Sequence, residues 1–135
     1  MEDLQSTYTN NIVPGKVQIP PLRSSLVNRD TLLQTLECSD HHKLTVVMAP
    51  AGFGKSTLVQ NWVYARQVRA AWLSLDVDDN DPVRFWLHVV TAFKEVIPEL
   101  GKQTIDSFHA SASQDMKSVV TSLIGELSTR PHAMV

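Results

Sequence analysis

Three features of this 135-residue sequence predict an α/β fold, a parallel sheet flanked by helices. "LTVVM", residues 44–48, is an uninterrupted apolar run rich in β-branched residues, the pattern of a strand buried on both faces. "AAWLSL", residues 70–75, reads as a second strand. Segments with apolar residues at helical spacing separate and follow these runs, and strands alternating with helices indicate a layered parallel arrangement.

The elements follow in chain order. Residues 1–25 are predicted as an extended arm, because the adjacent prolines Pro20 and Pro21 forbid a helix. A first helix is expected from the cap Asn28, with Asp30 in its first turn and Leu32, Leu33 and Leu36 on one face. "CSDHHK" ends it, and the first strand follows. "STLVQNWVYARQ" places Leu58, Val59, Trp62 and Val63 on one helical face. After the second strand, "DVDDND" makes a turn and caps a helix with Pro82 in its first turn. That helix aligns Phe85, Trp86, Val89, Val90 and Phe93, and Pro98 and Gly101 end it. Residues 99–112 read as a polar connection. Ser113 is placed to cap a last helix, with Met116, Val119, Val120, Leu123, Ile124 and Leu127 facing inward. "RPHAMV" then begins another extended segment. No internal repeat or low-complexity tract is present.

Composition narrows the function classes. Hydrophobic residues make up 43% and charged residues 19%, as in a globular domain with a core. A net charge of -2 gives no electrostatic footprint for nucleic acid, so any such contact is expected outside this chain. The single cysteine, Cys38, cannot form an internal disulfide, which fits a reducing compartment. The polar, acidic N-terminus lacks the pattern of a secretory signal, and no apolar run is long enough to span a bilayer. A cytoplasmic location without membrane contact is the expectation.

The loop after the first strand, "MAPAGFGKST", carries the chemistry. It fits the relaxed phosphate-loop pattern [Gly/Ala]-x-x-x-x-Gly-Lys-[Ser/Thr], with Ala49 first and Gly54-Lys55-Ser56 last. In such a loop, successive backbone N–H groups wrap into a concave nest for anionic oxygens, and the helix that follows adds unpaired donors and a positive dipole end. The nest is assigned to the amides of Gly52, Phe53, Gly54, Lys55, Ser56 and Thr57. Gly52 and Gly54 permit the unusual dihedrals. Lys55 is expected on the β- and γ-phosphates of a nucleotide, stabilising their charge, and the Ser56 hydroxyl on Mg2+. Ala49 and Pro50 lie upstream of the amides, so the proline's missing N–H removes no phosphate contact. The bland alternative is a glycine-containing turn with an exposed lysine.

Other candidates carry less. From Asp76, an EF-hand loop would need glycine at position six and glutamate at twelve; Asp81 and Leu87 stand there, and a turn with a helix cap fits better, with a minor magnesium or signalling role as the alternative. His41 and His42 have no second ligand cluster. Cys38 has no catalytic partner in the pattern, and Phe85, Trp86 and Phe93 are spaced as a packed face.

Three stretches together resemble one family: "KVQIPPLRSSLVNRDTLLQTL", "VVMAPAGFGKSTLVQNW" and "AAWLSLDVDDNDPVRFWLHVVTAF". They are similar to the start of the large ATP-binding LuxR-family regulators, within the signal-transduction ATPases with numerous domains (STAND). The resemblance is clear over residues 16–97. The Asp-Asn-Asp-Pro run with Arg84-Phe85 is its most family-specific part, since the loop alone names only the P-loop superfamily.

The resemblance implies that residues 26–135 are the N-terminal part of a P-loop NTPase domain, with an incomplete parallel sheet. It implies ATP with Mg2+ acting as a conformational switch in a transcription regulator. An inducer site, self-association and a DNA-binding helix-turn-helix would lie in regions absent here. Arg29, in "LVNRD", matches a family arginine near the nucleotide, although Asn28 replaces the residue usual in wider STAND motifs. The resemblance also implies that the acidic pair of the second nucleotide motif would follow Val135. The chain is therefore expected to be a fragment, with slow or absent hydrolysis and an unpaired first strand. A small P-loop kinase or transferase, and a non-catalytic interaction module, are the alternatives. The first is disfavoured by the arm and helix ahead of the loop, the second by intact Lys55 and Ser56.

Overall fold

A computed structural model describes residues 12–23, 27, 29–38, 42–100 and 116–129. Asn28, His41 and Ser113, residues 101–112 of the expected connection and residues 130–135 lie outside the described residues. The chain divides into two compact units, one of residues 19–70 and one of residues up to 18 with those from 71 onward.

In the first unit, α1 spans Asp30–Glu37 and α2 spans Lys55–Arg66, and the two pack together. Arg29 is the residue flanking α1, and Asp30 complements the helix dipole from the first turn. Leu36 is buried and Leu33 half-buried, but Leu32, expected on the same face, is exposed. In α2, Leu58 and Val63 are buried as the spacing predicts, with Val59 and Trp62 half-buried and Gln60 buried beside them. Gln67 ends α2 in the left-handed region at φ 52°, its N–H donating to the carbonyl of Tyr64 at 3.2 Å.

The expected parallel sheet of a P-loop NTPase is not found. The described residues form helices and connecting segments, with no strand among them. Residues 44–48 have no ladder partner, and Leu44, Val46 and Met48, alternate residues along the chain, are 79%, 66% and 87% exposed. Residues 70–75 likewise form no ladder; the Ser74 N–H makes one bond of 2.8 Å to the carbonyl of Lys16. The reason is physical. β-Branched composition supplies propensity, but a strand acquires its hydrogen bonds and cross-strand contacts only from a neighbour.

The second unit is built on α3, Pro82–Val96, and α4, Met116–Ser128. Asp81 caps α3 by accepting the Arg84 N–H at 2.9 Å, and Pro82 stands at a position whose N–H needs no partner. Leu87 packs on Val119, with Val83 and Trp86 alongside. Val90, Leu100 and Leu123 form a second cluster, flanked by Trp86, Val89, Phe93, Ile97 and Leu127. Leu100, within the stretch read as a polar connection, is fully buried because the Ile97 carbonyl accepts its N–H in a turn that folds it back on α3. Ile124, expected inward, is 57% exposed.

Residues 76–81 form the turn and helix cap expected of them. A short 3-10 helix, Val77–Asn80, carries a capping box in which Asp76 Oδ1 accepts the Asp78 N–H and Asp79 Oδ2 accepts the Asp76 N–H. Asp79 is buried and anchors more than its own turn. Lys16 Nζ, from the arm, donates to Asp79 Oδ2 at 2.7 Å and lies 2.7 Å from Asp76 Oδ1. His88 of α3, fully buried, places Nδ1 2.8 Å from Asp79 Oδ1, while its Nε2 accepts the Val13 N–H at 3.3 Å. Because Nε2 accepts, the ring proton sits on Nδ1 and points at the carboxylate. The Lys16 hydrogen bond, helped by the Asp76 N–H and His88 and opposed by desolvation, holds the Asp79 carboxyl well below the usual carboxylate range. The same lysine lowers Asp76. Desolvation opposes the Lys16 charge, but the bonds to Asp76 and Asp79 outweigh it and raise its pKa.

Leu123→Ala should lower stability by about 2–4 kcal/mol in urea unfolding, as expected for a cavity left in a closed cluster. The carboxylates give a pH signature. Asp76 and Asp79 are depressed in the folded state, so their contribution is present above about pH 4 and is lost on acidification below it. Lys16 stays charged in both states across that window. Thermal melts from about pH 6 to pH 2.5 should therefore fall more steeply for the wild type than for Asp79→Asn; parallel slopes would contradict this.

Candidate functional site

The loop of residues 49–54 enters α2 through two glycines in the left-handed region, Gly52 at φ 82° and Gly54 at φ 75°. Other residues resist this conformation by about 1–2 kcal/mol, so the two glycines fix the loop's path. Gly54 is the residue flanking the helix, and its carbonyl accepts the Leu58 N–H at 2.9 Å, the first bond of the α2 ladder. The amides of Lys55, Ser56 and Thr57 precede that bond, so the helix supplies no carbonyl for them. The Phe53 amide, by contrast, turns back to the Pro50 carbonyl at 3.4 Å. Ser56 is exposed and Thr57 half-buried on the first turn of α2.

Two cations are tied to this loop through its carbonyls. Lys55 Nζ donates to the carbonyls of Ala49 at 2.7 Å and Pro50 at 3.0 Å. Arg29 Nη1 donates to the carbonyl of Phe53 at 2.9 Å, and its guanidinium lies 3.8–4.0 Å from the position a Gly54 Cβ would take. Neither cation is paired with a carboxylate among the described residues. Ammonium, guanidinium and a helix N-terminus thus stand together without a countercharge, a donor set suited to an anion rich in oxygen. The positions departing from an all-glycine loop, Ala49 and Pro50, contribute carbonyls, which depend on neither side chain nor N–H.

The donor set fits a phosphate chain. For magnesium, Ser56 offers one hydroxyl. The described residues hold no group of three or more His, Cys, Asp or Glu side chains that could bind a metal, so further ligands would be phosphate oxygens and water. His42 and Cys38 are exposed. The sequence places Asp79 in a turn and cap, but sequence reasoning missed its partners Lys16 and His88. The local signal for His88 is a histidine inside an apolar helical stretch, and Lys16 is 63 residues away from Asp79.

Similarity to known proteins agrees with the family resemblance. The chain is 39% identical over 83 residues to the "HTH-type transcriptional regulator MalT" of Serratia proteamaculans, a match covering 62% of this chain and 9% of the relative. The same figures hold for MalT of Yersinia enterocolitica. It is 34% identical over 106 residues to the "Serine/threonine-protein kinase PknK" of Mycobacterium tuberculosis, covering 76% of this chain and 10% of the relative. The matches thus span about a tenth of the length of these curated relatives. No family model matches the chain, and no solved structure does.

Glycine substitutions should separate loop strain from helix propensity. Gly54→Ala meets only ordinary contacts, so its cost should be dihedral alone, about 1–2 kcal/mol in denaturant unfolding. Gly125→Ala, in α4 with open space around it, should instead stabilise by about 0.5–1 kcal/mol.

Proposed function

We propose that this MalT-like chain binds ATP with magnesium at the Gly52–Thr57 loop, as the nucleotide switch of a transcription regulator. One observation carries the proposal: Lys55 and Arg29 flank a glycine-shaped loop at the N-terminus of α2 and have no carboxylate partner among the described residues. Bound there, the phosphates would meet the free amides of α2's first turn. The Lys55 ammonium would leave the Ala49 and Pro50 carbonyls, or share its protons with them. Ser56 Oγ would face the magnesium ion, whose charge would screen the phosphate oxygens.

As a switch, nucleotide shifts a resting and an active state only by its differential affinity for them. The inducer, self-association and DNA contacts of that regulator belong to regions outside this chain. Among the described residues no helix is long and apolar enough to cross a membrane, in keeping with a cytoplasmic regulator. The proposal assigns binding and no hydrolytic step.

A fluorescent ATP analogue titrated into wild type and Lys55→Ala tests it. Loss of a charge-assisted contact should weaken binding by about tenfold to a hundredfold. Equal binding by the two proteins would refute the nucleotide assignment.

A further inference from the structure

Residues 13–17 of the arm are fastened to the second unit around one imidazole. His88 of α3 is closed off from solvent, and both of its ring nitrogens are engaged. Nδ1 lies 2.8 Å from Asp79 Oδ1, and Nε2 accepts the Val13 N–H at 3.3 Å. The Lys16 ammonium reaches Asp79 Oδ2 and Asp76 Oδ1, each at 2.7 Å. The Lys16 carbonyl accepts the Ser74 N–H at 2.8 Å. The chain passes between its two compact units after residue 18 and after residue 70. The bond between Lys16 and Ser74 therefore joins the segments that flank both passages.

We propose that His88 is a proton-operated latch: uptake of a second proton from solvent at Nε2 releases residues 13–17 from α3 and its capping turn. The docked arm requires a lone pair at Nε2, and hence the neutral ring. A proton there would point at the Val13 N–H, donor against donor, and would place a second cation near Lys16 in a site closed to water. The charged groups around the ring are Asp79 and Asp76 of the turn and Lys16 of the arm. Arg84, one helical turn earlier on α3, is directed to Asp78 at 3.6 Å. The clusters that join α4 to α3 are wholly apolar. Lys16 already answers both carboxylates, so they have little charge left for an imidazolium. Protons thus bind more readily when the arm is released, and linkage gives the sign: docking is favoured as pH rises and lost as it falls. Histidine changes charge between about pH 5 and pH 8. Asp76 and Asp79 are held below the usual carboxylate range and Lys16 is raised, so these three keep their charge throughout that window.

The test is an NMR titration of the full, isotope-labelled chain from about pH 8 to about pH 5. Nitrogen shifts of the His88 ring report its charge and tautomer, and the Val13 amide reports docking of the arm. At the high end the ring should be neutral with its proton on Nδ1. On acidification the imidazolium should form at the same midpoint at which the Val13 amide signal moves. Exchange of that amide, corrected for its intrinsic pH dependence, should quicken about tenfold. His88→Gln supplies one donor and one acceptor with no titrating nitrogen, and its Val13 amide should hold steady across the range. A ring that charges while the Val13 amide stays unmoved would overturn the latch. So would a ring still neutral at the low end, or a His88→Gln variant whose Val13 amide titrates as in wild type. Should that variant fail to fold, the wild-type midpoints decide by themselves: coincidence of ring and amide supports the latch, and separation overturns it.

Discussion

A carboxylate removed from water must be answered by donors, and in the second unit the arrangement of the chain follows from that requirement at Asp79. Its two oxygens are met by an ammonium, a backbone N–H and an imidazole N–H, drawn from the arm, the turn and α3. Two of the three donors come from segments that are otherwise weakly held, and the third from the packed helix α3. The 3-10 helix at Val77–Asn80 is too short to persist by itself, and the arm around Pro14–Lys16 has few buried side chains. Removing any one donor leaves the others facing an incompletely satisfied charge, so the group acts as a unit rather than as three separate bonds.

The first unit solves the opposite problem. There, two positive groups stand at the loop with no carboxylate partner among the described residues. Lys55 and Arg29 are held in place by carbonyl oxygens, which orient a cation without neutralising it. The contrast between the units is one of electrostatic use. A lysine closed off by two aspartates holds the fold, and a lysine resting on carbonyls keeps its charge for an incoming anion.

The elements legible in the sequence were those whose signals are local. Pro82 and Asp81 announce α3, the aspartate run announces its own capping box, and the glycines at 52 and 54 announce the loop that leads into α2. The sheet was misread because a strand is a property of two segments. Leu44–Met48 has the composition of one but, among the described residues, nothing to pair with. Leu100 and Ile124 were assigned to the wrong side because a 3.6-residue pattern does not reveal where a turn folds back or how wide the opposing face is. At the candidate site, the loop residues were legible from their spacing. The partners that hold Lys55 were not, since any residue supplies a carbonyl.

That last point changes the meaning of Pro50. As a ligand to Lys55 it gives only its carbonyl oxygen, yet its ring fixes one backbone dihedral before the chain folds. An unfolded chain with fewer conformations has less entropy to lose. A residue that first looks like a flaw in a glycine-rich motif thus acts partly on the denatured ensemble, where no contact in the folded molecule records its effect.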